Sequence, residues 1–450
     1  MKRALVVIAL LFALPARAHV GSYDVFFSGK AGAYNLDVTV RMPQVIPGVA
    51  EIEIRAREPD VTAMTVVPLR LVGPGSQLPP TPDRAERSAA DRQFFTASLW
   101  LMEHGTMQVR IAVDGARGQG ELAVPITAVA QRTLGMNRPL AILLLGLMLL
   151  LSLSIISIAA AAVREAGLDP GVEPSARARR NSRLAIGIAA AIVVGILALG
   201  QLWWAAEARQ YERMVMKDWK LDIRRTECSL ELPAINRLLP DHGHDIHLFV
   251  VRTPSFDRLA HLHPKRTASG SYAQPLPSLP AGRYTVFADV VFENGFPMTG
   301  IGELELTADL VCAPLAGDDS LWDGTPSQAV RFERPAQLRA GVAQSLSFSV
   351  VNPDGMPATD VEPYMAMAGH AAVLRRDLSV FAHLHPNGSI AMPALMLAKT
   401  PHEMYRDGHS LPPHVSFPYG FPNAGDYRVF VQIKRSGRIE TAAFDVSVAP

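Results

Sequence analysis

The 450-residue chain has almost no net charge: 43 Lys and Arg stand against 42 Asp and Glu, a formal +1. Such a balance offers no electrostatic footprint for nucleic acid. Cysteine is nearly absent too, with Cys228 and Cys312 the only two. The short motifs of common catalysis are also missing: there is no G-x-S-x-G, H-E-x-x-H, P-loop or C-x-x-C. Carboxylates do lie near histidines, at Asp241, Asp245 and Glu403, as a hydrolytic metal site would require. Nothing in the spacing sets them around a reacting atom, so the sequence reads as a binding protein rather than an enzyme.

What is abundant is histidine in one half and apolar residues in three runs. The pentapeptide Ala260-His261-Leu262-His263-Pro264 recurs letter for letter as Ala382-His383-Leu384-His385-Pro386. Further on, 281–287 (AGRYTVF) and 424–430 (AGDYRVF) agree at five of seven places. Two matched blocks in one order make an internal repeat. On a strand, His-x-His puts both imidazoles on one face, roughly 6–7 Å apart, within reach of one shared ion. Proline then ends the strand or holds it at an edge.

A third histidine stands upstream in each copy. His247 lies 14 residues before His261, and His370 lies 13 before His383; His244 and Met367 each precede those by three. The expected ligands are therefore His261 and His263 with His247 or His244, and His383 and His385 with His370 or Met367. Met365 is a further soft candidate. Eleven of the 13 histidines fall in residues 241–414, including His242 and, in an insertion of the second copy, His402, His409 and His414. Imidazole alone suits zinc, copper or nickel, and imidazole with thioether selects copper. Copper is the expected ion, with zinc the alternative. The bland alternative is a structural or assembly module whose histidines and methionines fill the core.

The apolar runs set the topology. Residues 1–18 read as a secretory signal peptide: Lys2 and Arg3, an apolar core, then the A-x-A site Ala16-Arg17-Ala18. Cleavage after Ala18 leaves His19 as N-terminus, whose amine and imidazole together can chelate a cupric ion. Residues 140–163 and 184–206 are each long and apolar enough to cross a bilayer. Gly187, Gly195 and Gly200 would let the two helices approach closely. Arg164, Arg177, Arg179, Arg180 and Arg183 lie between them, and the positive-inside rule puts that loop in the cytoplasm. The large domains then lie outside, in a bacterial periplasm, anchored to the inner membrane. In that oxidising compartment Cys228 and Cys312 are expected to form a disulfide.

Alternating segments such as 35–40, 51–55, 108–113, 284–292 and 345–351, together with 35 Pro and 33 Gly, point to short strands. The expected fold class is mainly β: three exported β-sandwiches, immunoglobulin-like or cupredoxin-like, with a two-helix transmembrane hairpin between the first and second. The expected boundaries are 19–135 for the first sandwich, 136–163 and 184–206 for the helices around a loop of 164–183, 207–315 for the first repeat and 316–450 for the second. Residues 313–327 read as a linker.

The stretch 94–113, with Trp100, Met102 and Gly105, resembles the small exported β-sandwiches of the FixH-like and YtkA-like families. The repeat half resembles exported bacterial domains with a G-H…H-L-H-P pattern, through Gly243-His244, His261 and His263, then Gly369-His370, His383 and His385. That resemblance implies a periplasmic metal-related role of the copper-handling kind and identifies no reaction. The expected function is copper binding for tolerance, or for delivery to a partner such as a membrane oxidase or a metal exporter.

Overall fold

The computed structural model describes residues 24–406 and 410–450. The expected signal peptide, His19 and His409 lie outside the described residues. The chain divides into two compact units, one of residues 129–216 and one holding everything else.

The smaller unit is a helical hairpin. Its helices, Arg138–Glu165 and Ala176–Met214, are long and apolar enough to cross a membrane. The second begins earlier than the apolar run implies. Ser175 caps it by accepting from the Ala178 amide, so Arg177, Arg179, Arg180 and Arg183 lie in helix rather than in a loop. Arginine is a good helix former, and an apolar helix propagates outward through it until a cap stops it. Gly187, Gly195 and Gly200 do not mark a close approach, since a Cβ at any of them would meet nothing within 4 Å. The helices are instead joined where Ser182 Oγ donates to Ala160 O at 2.9 Å.

The larger unit holds three β-sandwiches. The first sets a five-stranded sheet, Val25–Ala31, Tyr34–Arg41, Gly48–Ala56, Phe94–Leu101 and Glu86–Arg87, against a four-stranded one, Asp83–Arg84, Val61–Arg70, Gly105–Gly115 and Gly118–Ala128. Alternation drives it: in Phe94–Leu101 every second residue from Phe95 is buried, while Trp100 is exposed.

The two repeats are sandwiches of one plan. In the first, His247–Thr253 lies between Gly282–Phe292 and Leu259–Leu262. In the second, His370–Arg375 lies between Gly425–Arg435 and Phe381–Leu384. The registers correspond: Phe249 faces His261 and Phe287, as Ala372 faces His383 and Phe430. Cys228 and Cys312 are joined as a disulfide in the first repeat.

Both central strands are buried on both faces. Leu248 and Val250 point into the first repeat's own core, and Ala371 and Val373 into the second's. The alternate residues Phe249, Val251, Ala372 and Leu374 form a separate apolar layer with Phe287, Phe381 and Phe430. The two large sheets therefore pack outer face to outer face. Phe287 and Phe381 stack across the junction, with ring centres 4.4 Å apart.

Residues 313–327 are not a mere linker. Ser320–Trp322 pairs with Leu259–Leu262, placing Ser320 opposite His261. The insertion of the second repeat is also structured. Its helix Met392–Leu397 puts Ala394 and Leu395 into the core of the first sandwich. Just before it, Ser28 N donates to Asn387 O at 2.9 Å and Ser389 N to Phe26 O at 2.9 Å. Gly388 sits at φ 124, and a Cβ there would lie 1.9 Å from Phe26 O. Only glycine fits that contact.

Candidate metal centres

The apolar layer between the repeats ends in histidine. Period-2 alternation sends His247, His261 and His263 toward the second repeat, and His370, His383 and His385 toward the first. The two copies match closely. The ring centres of His247 and His261 are 5.4 Å apart, as are those of His370 and His383; each His-x-His pair is 4.7 Å apart.

Two groups of three result, each with ligand atoms within 4.8 Å of one another. One is His247, His261 and His383; the other is His242, His370 and His385. Each group draws on both repeats, whereas the sequence implied one ion per repeat. Neither His-x-His pair converges on one point: His383 joins the first group and His385 the second. Period 2 fixes the face of a side chain, but the opposing sheet decides which rings it meets.

The hydrogen bonds fix the protons in the first group. Gln432 Nε2 donates to Ser320 Oγ at 2.7 Å, so its Oε1 is the atom 2.7 Å from His261 Nδ1. That nitrogen therefore carries the proton and donates. His247 Nε2 donates to Asp241 O at 3.1 Å. The remaining nitrogens, His247 Nδ1 and His261 Nε2, face each other at 3.1 Å with only lone pairs between them. His383 Nδ1 lies 3.2 Å from Asp289 Oδ2 and donates to it, and its Nε2 is buried without a hydrogen-bond partner among the described residues.

The second group follows the same logic. His385 Nδ1 donates to Ile390 O at 3.2 Å. The Nε2 atoms of His263, His383 and His385 and both ring nitrogens of His370 are buried without a hydrogen-bond partner among the described residues. Buried polar atoms left unpaired are rare and each needs a cause. A carboxylate or carbonyl on one ring nitrogen with the other left bare is how proteins orient an imidazole for a cation.

Burial keeps the rings neutral. It pushes His247, His261, His370 and His385 well below the usual imidazole range, and neighbouring histidines push the same way. His242 is brought down to about 3, first by burial and then by His383. Asp241 is raised to about 8, first by burial and then by Asp289. Its Oδ2 is 4.0 Å from His385 Nε2, and its Oδ1 is 3.4 Å from His242 Nε2.

The remaining expected ligands stand apart. His244 and His263 stack at 4.0 Å beside the first group. Met365 and Met367 lie in the tight turn Tyr364–Met367, closed by Tyr364 N to Met367 O at 2.8 Å. The same turn occurs at Asp241–His244, closed by Asp241 N to His244 O at 2.8 Å. His244 thus corresponds to Met367 and His247 to His370, so Gly243-His244 and Gly369-His370 are not equivalent places. His402 bonds Thr400 O at 3.0 Å, and exposed His414 lies 3.6 Å from Glu333.

The sequence reading did not single out His242 as a ligand, nor Asp289, Gln432, Asp318 or Asp319. His242 sits at φ 51 ahead of Gly243, so a D-H-G-H turn was its signal. Asp289 and Gln432 each interrupt an apolar strand two residues beyond the matched blocks.

Comparison with known proteins adds little to this. Residues 325–450, most of the second repeat, match a family described as a domain of unknown function, DUF8832. No curated protein matches the chain. Among solved structures, the chain is similar to a tetra-tandem repeat from the extending region of a large adhesion protein, at 9% identity and TM-score 0.17, covering 94% of this chain and 82% of that one. It is similar to the ICAM-5 D1–D4 ectodomain fragment, at 10% identity and TM-score 0.16, covering 92% and 76%. It is also similar to Salmonella alpha-2-macroglobulin reacted with methylamine, at 8% identity and TM-score 0.20, covering 97% and 24%.

Proposed function

We propose that this chain is a membrane-anchored, periplasmic metal-binding protein that holds copper in two three-histidine centres formed between its repeats. The observation that carries the proposal is the contact of His247 Nδ1 with His261 Nε2 at 3.1 Å. Both protons are committed elsewhere, so two lone pairs are held against each other in a buried interior. That arrangement is repulsive unless a cation lies between them, and His383 Nε2 supplies the third donor.

The donor set argues for the ion. Three neutral imidazoles do not suit magnesium or calcium, which take oxygen ligands. They suit zinc, copper or nickel, and affinity at a given nitrogen site peaks at copper among divalent ions. Neither cysteine competes, since the two are bonded to each other. The sequence carries none of the short motifs of common catalysis, so we read the centres as serving storage or delivery. The two apolar helices supply the anchor, and the arginines at its turn support an extracytoplasmic location for the histidine domains.

The test is metal analysis of the detergent-solubilised full chain after exposure to limiting copper and zinc together. Two coppers per chain are expected. A chain that retains neither metal at micromolar levels would overturn the proposal.

A further inference from the structure

We infer that His244, His263 and Asp318 form a one-sided access port, through which a copper ion passes by ligand exchange into the buried centres. The inference rests on the copper-binding reading above and adds a route to it.

The geometry is a graded chain from solvent inward. Asp318 Oδ2 lies 3.3 Å from His244 Nε2, with side chains 37% and 26% exposed. His244 stacks on His263 with ring centres 4.0 Å apart. His263 is only 3% exposed, and its Nδ1 donates to Asp319 Oδ1 at 2.9 Å. Its Nε2 therefore offers a lone pair that no hydrogen bond uses among the described residues. From His263 the next rings are those of His261 at 4.7 Å and His247 at 5.0 Å, both in the first centre. An ion thus steps from carboxylate to partly exposed imidazole to buried imidazole by exchanging ligands one at a time.

The two repeats differ at this place, which makes the port one-sided. The same tight turn carries His244 in the first and Met367 in the second. Met367 is 2% exposed. One end of the cluster is therefore open to solvent through an imidazole, and the corresponding end is closed by a buried thioether. His263 and His244 also belong to neither three-histidine group. They are left over as ligands, and His263 is oriented as one, with Asp319 on Nδ1 and Nε2 bare, which is what a transfer position requires.

The experiment is a loading time course on the full chain in detergent. Metal-free protein is mixed with glycine-buffered cupric ion, quenched with EDTA at intervals, and assayed for retained copper. His244→Ala should slow loading about tenfold or more and still reach the parent's final copper content. Asp318→Asn, a change of the same size at a partly exposed side chain, should slow it less and in the same direction. Unchanged rates in both variants would overturn the port. A lower final copper content in His244→Ala would also overturn it, by making His244 a resident ligand. A parent that retains no copper would instead refute the binding reading itself.

Discussion

His383 of the second repeat donates through Nδ1 to Asp289 of the first, 3.2 Å away. Its counterpart His261 makes the reciprocal bond to Gln432 of the second repeat at 2.7 Å. Each repeat thereby orients a histidine of the other. The two centres belong to the junction, and neither sandwich alone contains one.

Asp289→Ala should free the His383 ring. Removing such an orienting partner commonly weakens metal binding by about 10–100-fold. The loss is expected at the His247–His261–His383 centre alone, read by chelator competition as one weakened equivalent and one unchanged. Two unchanged equivalents would remove Asp289 from the account.

Acid should destabilise the metal-free protein. His242, His247, His261, His263, His370 and His385 all have folded values below the usual 6.5. Below about 6.5 the unfolded chain takes up these protons and the folded chain does not, so stability is full above 6.5 and falls with pH. Each proton contributes about 1.4 kcal/mol per pH unit. Asp241, raised to about 8, acts in the opposite sense: its contribution is full below 3.8 and lost as pH rises toward 8. Six groups outweigh one, so denaturation midpoints of the metal-free chain should drop steeply from pH 6.5 to 5. A flat profile would mean the rings are not buried and neutral.

Phe381→Ala should open the junction. Phe381 is 1% exposed and packs on Phe249 and Phe287 across it. Truncating a core phenylalanine costs about 3–5 kcal/mol. Because the layer sets the spacing of the opposed histidines, both equivalents of metal should weaken together. Stability loss with both affinities intact would show that the centres do not depend on the junction.

Gly388→Ala should loosen the second centre. The new Cβ would collide with Phe26 O and require a strained φ of 124. His385 lies three residues before it and depends on this turn through the Ile390 carbonyl. A lower melting temperature with weaker binding at the His242–His370–His385 centre is expected. An unchanged melting temperature would show that the contact with the first sandwich does not hold the turn.

Much of this was legible in residue order. The H-L-H-P repeat and the matched AG-x-Y-x-V-F blocks gave two sandwiches of one plan, and period 2 gave the shared face of His261 with His263 and of His383 with His385. Ring partners were not legible, because they arise when two sheets pack and no local pattern encodes which ring meets which. Asp318 and Asp319 were hidden in a stretch without strand alternation, in the turn just before Ser320–Trp322, which becomes a strand only through pairing with Leu259–Leu262. The arginines read as loop residues because charge ends the apolar run, whereas their helix propensity carries the helix through them to the cap at Ser175.

His370 and His383 lie in the same repeat but in different centres, and that separates the central claim from its rival. The measurement is the copper content of the full chain carrying His370→Ala and His383→Ala together, beside each single variant and the parent. Centres shared between repeats predict two ions in the parent, one in each single variant and none in the double. One ion retained by the double variant would mean that each repeat binds its own ion, and would contradict the account.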